Sequence, residues 1–269
     1  MERQFVKVEK GLGPDGRIAV VRFDRGDNIN ALSGQAMREL RDVPRDFEDD
    51  LHTSVVILSG SAKAFSAGFD LKDPEGRNRE ALAIPERVHR GRLGPKMCKA
   101  WQDMDQVTIA AIEGHCIGGG AALVVALDFR TCGKGAHFRI PEIELGMNMS
   151  WGSIPRMLAL MGPARTKQAV ILASDRVGAA EALEWGLVEK VVEDGQALAE
   201  AMRFAERIAQ QPPIPVRMTK VTVNRLAHAL DDLASHMDID QNVLTGLTED
   251  YKEGTSAFRE KRKPKFKGR

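Results

Sequence analysis

Three stretches of this sequence place small residues directly after strand-like leads: KAFSAGFDLK (Lys63 to Lys72), IEGHCIGGGAAL (Ile112 to Leu123) and FRIPEIELG (Phe138 to Gly146). Small residues let a backbone approach a ligand closely and aim N–H groups at it. Two such stretches from different parts of one fold can converge two N–H donors on a single oxygen, and losing one such donor costs roughly 10²–10³ in rate. If the apolar run after Gly118-Gly119-Gly120 is a helix, Gly119 and Gly120 stand at its N-terminus. There, unpaired N–H groups and the positive end of the helix dipole favour a developing anion. The triple glycine lacks the Gly-Lys-Ser/Thr ending of a phosphate-binding loop and does not fit GxGxxG. The third stretch carries Glu142 just past the Phe138 to Pro141 strand, a placement that suits proton transfer better than a solvated strand end. His115, Cys116, Cys132 and His137 match no zinc spacing, so no metal is expected. His115 reads as a packed or pocket-edge histidine, and Asp70 and Asp128 as structural or solvated carboxylates.

These stretches need a scaffold. Phe5 to Glu9 and Arg17 to Phe23 alternate apolar and polar residues around Gly13-Pro14-Asp15-Gly16, which predicts a hairpin. Ser33 is a candidate N-cap for a helix beginning near Gly34, interrupted at Pro44. Ser54 to Ser59 and Val107 to Ile112 are apolar, β-branched runs that predict buried strands, and Phe129 to Cys132, Ala136 to Ile140 and Val188 to Val192 are further strand candidates. Arg79 to Asp105 predicts a helical region broken at Pro85 and Pro95, and Ala121 to Leu127 a fully buried helix. Gln211-Pro212-Pro213-Ile214-Pro215 marks the clearest boundary: residues 1–210 form a mixed α/β core and residues 211–269 a helical appendage.

Composition narrows the class. With 39 Lys+Arg against 38 Asp+Glu the chain of 269 residues lacks the basic field of a nucleic-acid binder. Cys98, Cys116 and Cys132 are an odd set in a long chain, which predicts no disulfide framework and a cytoplasmic, reducing setting. The N-terminus has no apolar signal region, and the longest apolar run is far below the ~18 residues of a membrane span.

The three stretches, with Asn30-Ala31-Leu32 and the tail EGTSAFREKRKPKF, resemble the enoyl-CoA hydratase/isomerase (crotonase) family. The resemblance implies an α/β spiral of ββα repeats, with a C-terminal helical region that assembles a homotrimer or a dimer of trimers and contacts coenzyme A. The implied ligand is an acyl-CoA thioester, with no cofactor beyond the coenzyme A of the substrate and no nucleic-acid or membrane partner. By the same likeness the backbone N–H groups of Phe69 and Gly119 form the oxyanion hole. Ala67, Gly68, Phe69, Asp70 and Leu71 would line the path of the coenzyme. Lys63, with Phe258 and Lys261 from a neighbouring subunit, would meet its phosphates and adenosine.

Hydratases of the family use two glutamates. One matches Glu142; the other matches Ala122, whose methyl group can neither bind water nor move a proton. A 1,3-proton shift needs only one carboxylate beside an oxyanion hole, so the expected reaction is double-bond isomerisation with Glu142 as shuttle. The alternative is enoyl-CoA hydration, or hydration-cleavage of an aromatic enoyl thioester, helped by Glu144 or Ser150. Glu144 lies two residues past Glu142, so an extended segment would turn both the same way. Ser150 matches a position where some dienoyl isomerases of the family carry aspartate. Met147, Met149 and Trp151 would make a bulky, apolar acyl wall. A reading of another class is a non-catalytic family member that binds coenzyme A or RNA.

Overall fold

A computed structural model describes residues 3–73, 82–173 and 175–269. The chain opens with an antiparallel hairpin of β1 (Val6–Leu12) and β2 (Ile18–Phe23). The remaining strands are β3 (Val55–Ser59), β4 (Ala64–Ser66), β5 (Val107–Ile112), β6 (His115–Ile117), β7 (Phe129–Gly133), β8 (His137–Arg139), β9 (Val177–Gly178) and β10 (Lys190–Val192). One sheet runs in the order β1-β2-β3-β5-β7-β10 and a smaller one in the order β4-β6-β8-β9. Each circuit thus lays a strand in the large sheet, a short strand in the small one, and then a helix. From β2 onward the large sheet is parallel, which is why its strands are apolar on both faces. This is the spiral of ββα circuits that the sequence resemblance implies.

Two apolar layers hold the circuits together. Between the sheets, Leu32, Leu40, Phe65, Trp101 and Phe138 are among the buried residues of the main core. On the outer face of the large sheet lies the helix Ala197–Ala209, which presents Ala197, Ala201, Ala205 and Ala209 at one-turn spacing. Methyl-sized side chains along that stripe let the helix sit close against Ile18, Val20, Ile57 and Ile109.

The sequence expectations meet the structure unevenly. Ser33 does cap the helix Gly34–Asp42, its hydroxyl accepting the Ala36 N–H at 3.2 Å. Pro85 and Pro95 do not break helices. They occupy the first turns of the helices Ile84–Gly91 and Leu93–Gln102, where a missing N–H is harmless, and the junction falls at Arg92. Residues 79–81 of that predicted helical region lie outside the described residues. The buried helix expected over 121–127 is Gly119–Val124. β4, β6 and β9 escape the sequence reading because two or three residues carry no periodicity.

Beyond residue 211 the chain forms the helices Pro213–Ala227, Asp231–Ser235, Asp238–Thr245 and Glu249–Glu260. The last two fold back on the core, Glu249–Glu260 against the turn Ile143–Leu145 and Asp238–Thr245 against the helix Ile84–Gly91. The helical appendage therefore helps to enclose the cleft described next. Among the described residues no helix is long and apolar enough to cross a membrane.

Candidate active site

The three glycine- and glutamate-bearing stretches converge on a cleft of about 380 Å³. Asn30 anchors the first of them: its buried side chain donates to the Phe23 and Phe65 carbonyls at 2.7 and 3.0 Å. Leu32 then pairs with Phe69 as in a parallel sheet. Leu32 N–H donates to the Gly68 carbonyl at 2.7 Å, and Asp70 N–H to the Leu32 carbonyl at 3.1 Å. In such a bridge the backbone groups of the middle residue point the other way, so the Phe69 N–H is directed away from Leu32.

Gly68 brings the first stretch against the second. Its φ is +82°, and a Cβ there would stand 2.6 Å from the Ile117 carbonyl oxygen and 3.2 Å from the Gly119 nitrogen. Only glycine fits both the conformation and the approach. Gly119 is the first residue of the helix Gly119–Val124, so no carbonyl within that helix accepts its N–H. The opposite end of the helix is secured by Arg130, a buried guanidinium that donates to the Leu127 and Leu187 carbonyls at 2.8 and 2.7 Å and pairs with Glu189. Sequence reasoning passed over Arg130, since a charge inside a strand looks like a solvated edge.

Glu142 lies across from these backbones. A Cβ on Gly118 would be 2.6 Å from Glu142 Oε1, so the carboxyl packs directly on the triple glycine. The residue as a whole is half-buried, but Oε2 is shut off from solvent and no described group hydrogen-bonds it. Burial pushes its pKa up from 4.5 to about 7, against smaller lowering effects from its own backbone N–H and from Arg139. A cleft-lining carboxyl poised near neutrality, with one oxygen free of hydrogen bonds from described groups, is suited to take up and return a proton.

Ala67, Gly68, Phe69, Leu71, Gly119, Met147, Met149, Ser150, Trp151 and Phe258 line the same cleft, as do Ala122 and Glu142. Glu142 is the only carboxylate among the described lining residues. One expected helper needs correction. Glu144 does not share the cleft: Ile143–Leu145 is a 3-10 turn rather than an extended run, and Glu144 is ion-paired with Arg139. Asp70 does not line the cleft, and its carboxylate is bound by Arg25 at 2.8 Å. Lys63 and Lys261 are exposed and do not line the cleft. Phe258 lines the cleft of its own chain, because the helix Glu249–Glu260 folds back onto residues 143–145. Ile239, Asn242, Val243 and Tyr251 also line it and were missed, their helical spacing giving no sign of what they face.

His115 and His137 are register partners on β6 and β8 with ring centroids 6.2 Å apart. No group of three or more metal-ligating side chains forms among the described residues.

Known proteins resemble this chain over nearly its whole length. The profile described as "Enoyl-CoA hydratase/isomerase" matches residues 14–269. The chain is 33% identical over 256 residues to the crotonyl-CoA hydratase of Syntrophomonas wolfei, covering 95% of this chain and 96% of that protein. It is 33% identical over 264 residues to the short-chain-enoyl-CoA hydratase of Clostridium acetobutylicum, covering 98% and 97%. The crystal structure of carnitinyl-CoA hydratase from Mycobacterium avium superposes with a TM-score of 0.83 at 28% identity, covering 100% of both chains.

Proposed function

The chain belongs to the enoyl-CoA hydratase/isomerase family, and from that premise we propose that it shifts the double bond of an enoyl-CoA thioester with Glu142 as the single proton carrier. The thioester carbonyl accepts hydrogen bonds from the N–H groups of Phe69 and Gly119. Glu142 in its ionised form removes a proton from the carbon next to the carbonyl of a 3-enoyl group. The electron pair delocalises into a dienolate whose oxygen is held by the two N–H donors. Glu142 returns the proton at the far carbon, giving the 2-enoyl thioester and regenerating the carboxylate. No cofactor enters this sequence.

The observation that carries the proposal is the lone carboxylate. Ala122 lines the cleft where a second acid would stand, and Glu144 is engaged by Arg139. Adding water is best served by a pair of carboxylates that orders it. The names of the relatives favour a second reading, hydration of a 2-enoyl thioester or the related hydration-cleavage of an aromatic one, with Ser150 on the cleft wall as the remaining water anchor. Incubating the purified protein with 2-enoyl and 3-enoyl CoA thioesters separates the two. Interconversion without a change in mass supports isomerisation. Gain of one water by the 2-enoyl thioester, far faster than any interconversion, overturns it in favour of hydration.

A homotrimer or dimer of trimers is part of the proposal. Ile214, Leu226, Leu230 and Leu233 are 69–77% exposed on the helices after residue 211, an apolar display that assembly would cover. Three free, buried cysteines support a cytoplasmic setting.

A further inference from the structure

We propose that Trp151, seated between Gly94 and Gly119, is the residue that limits acyl length; the inference rests on the acyl-CoA reading of the cleft. A Cβ on Gly94 would fall 2.1, 2.4 and 2.5 Å from indole atoms Cε2, Cδ2 and Cζ2. A Cβ on Gly119 would fall 2.6 Å from both Cη2 and Cζ3. The ring therefore lies flat against the helix Leu93–Gln102, and its far edge touches the residue whose N–H is directed at the thioester oxygen. An acyl chain running on from the carbonyl carbon that bears this oxygen meets the indole. Gly94 has no other evident use: glycine inside a helix costs about 1 kcal/mol relative to alanine, and here its bare Cα face is the seat of the ring.

The indole is held there rather than resting there. Trp151 has φ +63°, a left-handed conformation that is a genuine outlier for so bulky a residue. Arg156 donates to the Trp151 carbonyl at 2.8 Å, and its guanidinium is itself fixed on Gln102 Oε1. Asp238 accepts the Gly152 N–H at 2.8 Å, so the C-terminal region clamps the turn from the other side. Strain maintained by two buried polar anchors marks a position that the surrounding structure specifies.

The test is calorimetric titration of saturated CoA thioesters, which bind without reacting, into the purified protein. Butyryl-CoA and dodecanoyl-CoA are compared on the wild type, Trp151→Ala and Gly94→Ala. Each methylene that finds apolar contact tightens binding about fourfold. The wild type is expected to bind dodecanoyl-CoA no tighter than butyryl-CoA. Trp151→Ala is expected to bind it at least about 10²-fold tighter than butyryl-CoA. Gly94→Ala, which must push the ring from its seat, should move the ratio the same way. Trp151→Leu serves if Trp151→Ala does not fold. A chain-length ratio that is the same in the wild type and in the folded variants overturns the inference while leaving the acyl-CoA reading intact. Failure of the wild type to bind either thioester overturns both.

Discussion

Burial of Glu142 ties catalysis to stability, and a single substitution tests both. Its carboxyl titrates near 7 in the folded protein against 4.5 ordinarily. Below pH 4.5 both folded and unfolded chains carry the proton, and the group contributes nothing to the pH dependence. Between 4.5 and 7 the unfolded chain ionises first, so the folded state loses ground as pH rises. Above 7 both are ionised and the full penalty stands, at most about 3 kcal/mol for a shift of this size. The cleft mouth admits some solvent, so about 1–3 kcal/mol is the expected range. Glu142→Gln removes the charge and keeps the shape. Denaturant unfolding should therefore find the variant matched with the wild type at pH 4 and more stable by about 1–3 kcal/mol at pH 8.5. Turnover runs the other way: the base works only when ionised, so the wild-type rate should climb tenfold per pH unit below about 7 and then level. The variant should lose nearly all turnover. Equal stability of the two proteins at pH 8.5, or detectable turnover that survives Glu142→Gln unchanged, would refute the argument from desolvation and with it the role of Glu142 as base.

Other consequences are as direct. Gly118→Ala would put a methyl carbon 2.6 Å from Glu142 Oε1 at a residue with φ +50°, so kcat should fall about 10²-fold while the Kd for a saturated acyl-CoA changes little; an unchanged kcat would dissociate this contact from catalysis. Ala122→Glu restores a second carboxylate at the cleft and should raise the ratio of hydration to isomerisation at least about tenfold by product mass, in any variant that folds. Gly120→Ala presses on the Ser66 side chain at 2.8 Å, behind the cleft, and should lower the unfolding midpoint with little change in activity per folded molecule. Asp128→Ala leaves the buried Lys220 ammonium, 2.7 Å from that carboxylate, with the Gln106 carbonyl and no counter-charge there, and removes the acceptor of Thr108 N–H; it should cost about 3–5 kcal/mol by chemical denaturation, and a loss under 1 kcal/mol would mean that this carboxylate is not holding the helix Pro213–Ala227 to the core.

The long strands of the large sheet were legible because both their faces are buried, which imposes uninterrupted apolar runs such as Val55–Ser59 and Val107–Ile112. In the small sheet only β8 was, within the run Ala136 to Ile140. β4, β6 and β9 are too short for a pattern to repeat, and their existence follows from the spiral that carries the chain from one sheet to the other. Pro85 and Pro95 misled for a related reason: a proline signals the edge of a helix but not which edge, and both stand at starts. The helical character after residue 211 was readable from spacing. That two of those helices return to wall the cleft depends on contacts with residues 84–91 and 143–145, which local sequence does not encode.

At the site, residue type carried further than position. Gly118-Gly119-Gly120 and Glu142 drew attention through what flanks them, a strand-like lead in each case and an apolar run after the glycines, whereas Glu144 looked equally chemical and is held by Arg139. A carboxylate is common currency on any chain, and its role is set by which guanidinium reaches it first. Glycine is different, since what it provides is room, and the claimant to that room is a distant segment. The three consecutive glycines illustrate this: Gly118 makes space for Glu142, Gly119 for Trp151, and Gly120 for Ser66. One short run therefore sets the proton carrier, the acyl wall and the inter-sheet packing at separate atoms. Conformational freedom alone would have made any one of the three sufficient; the need for all three comes from three different neighbours arriving at the start of one buried helix.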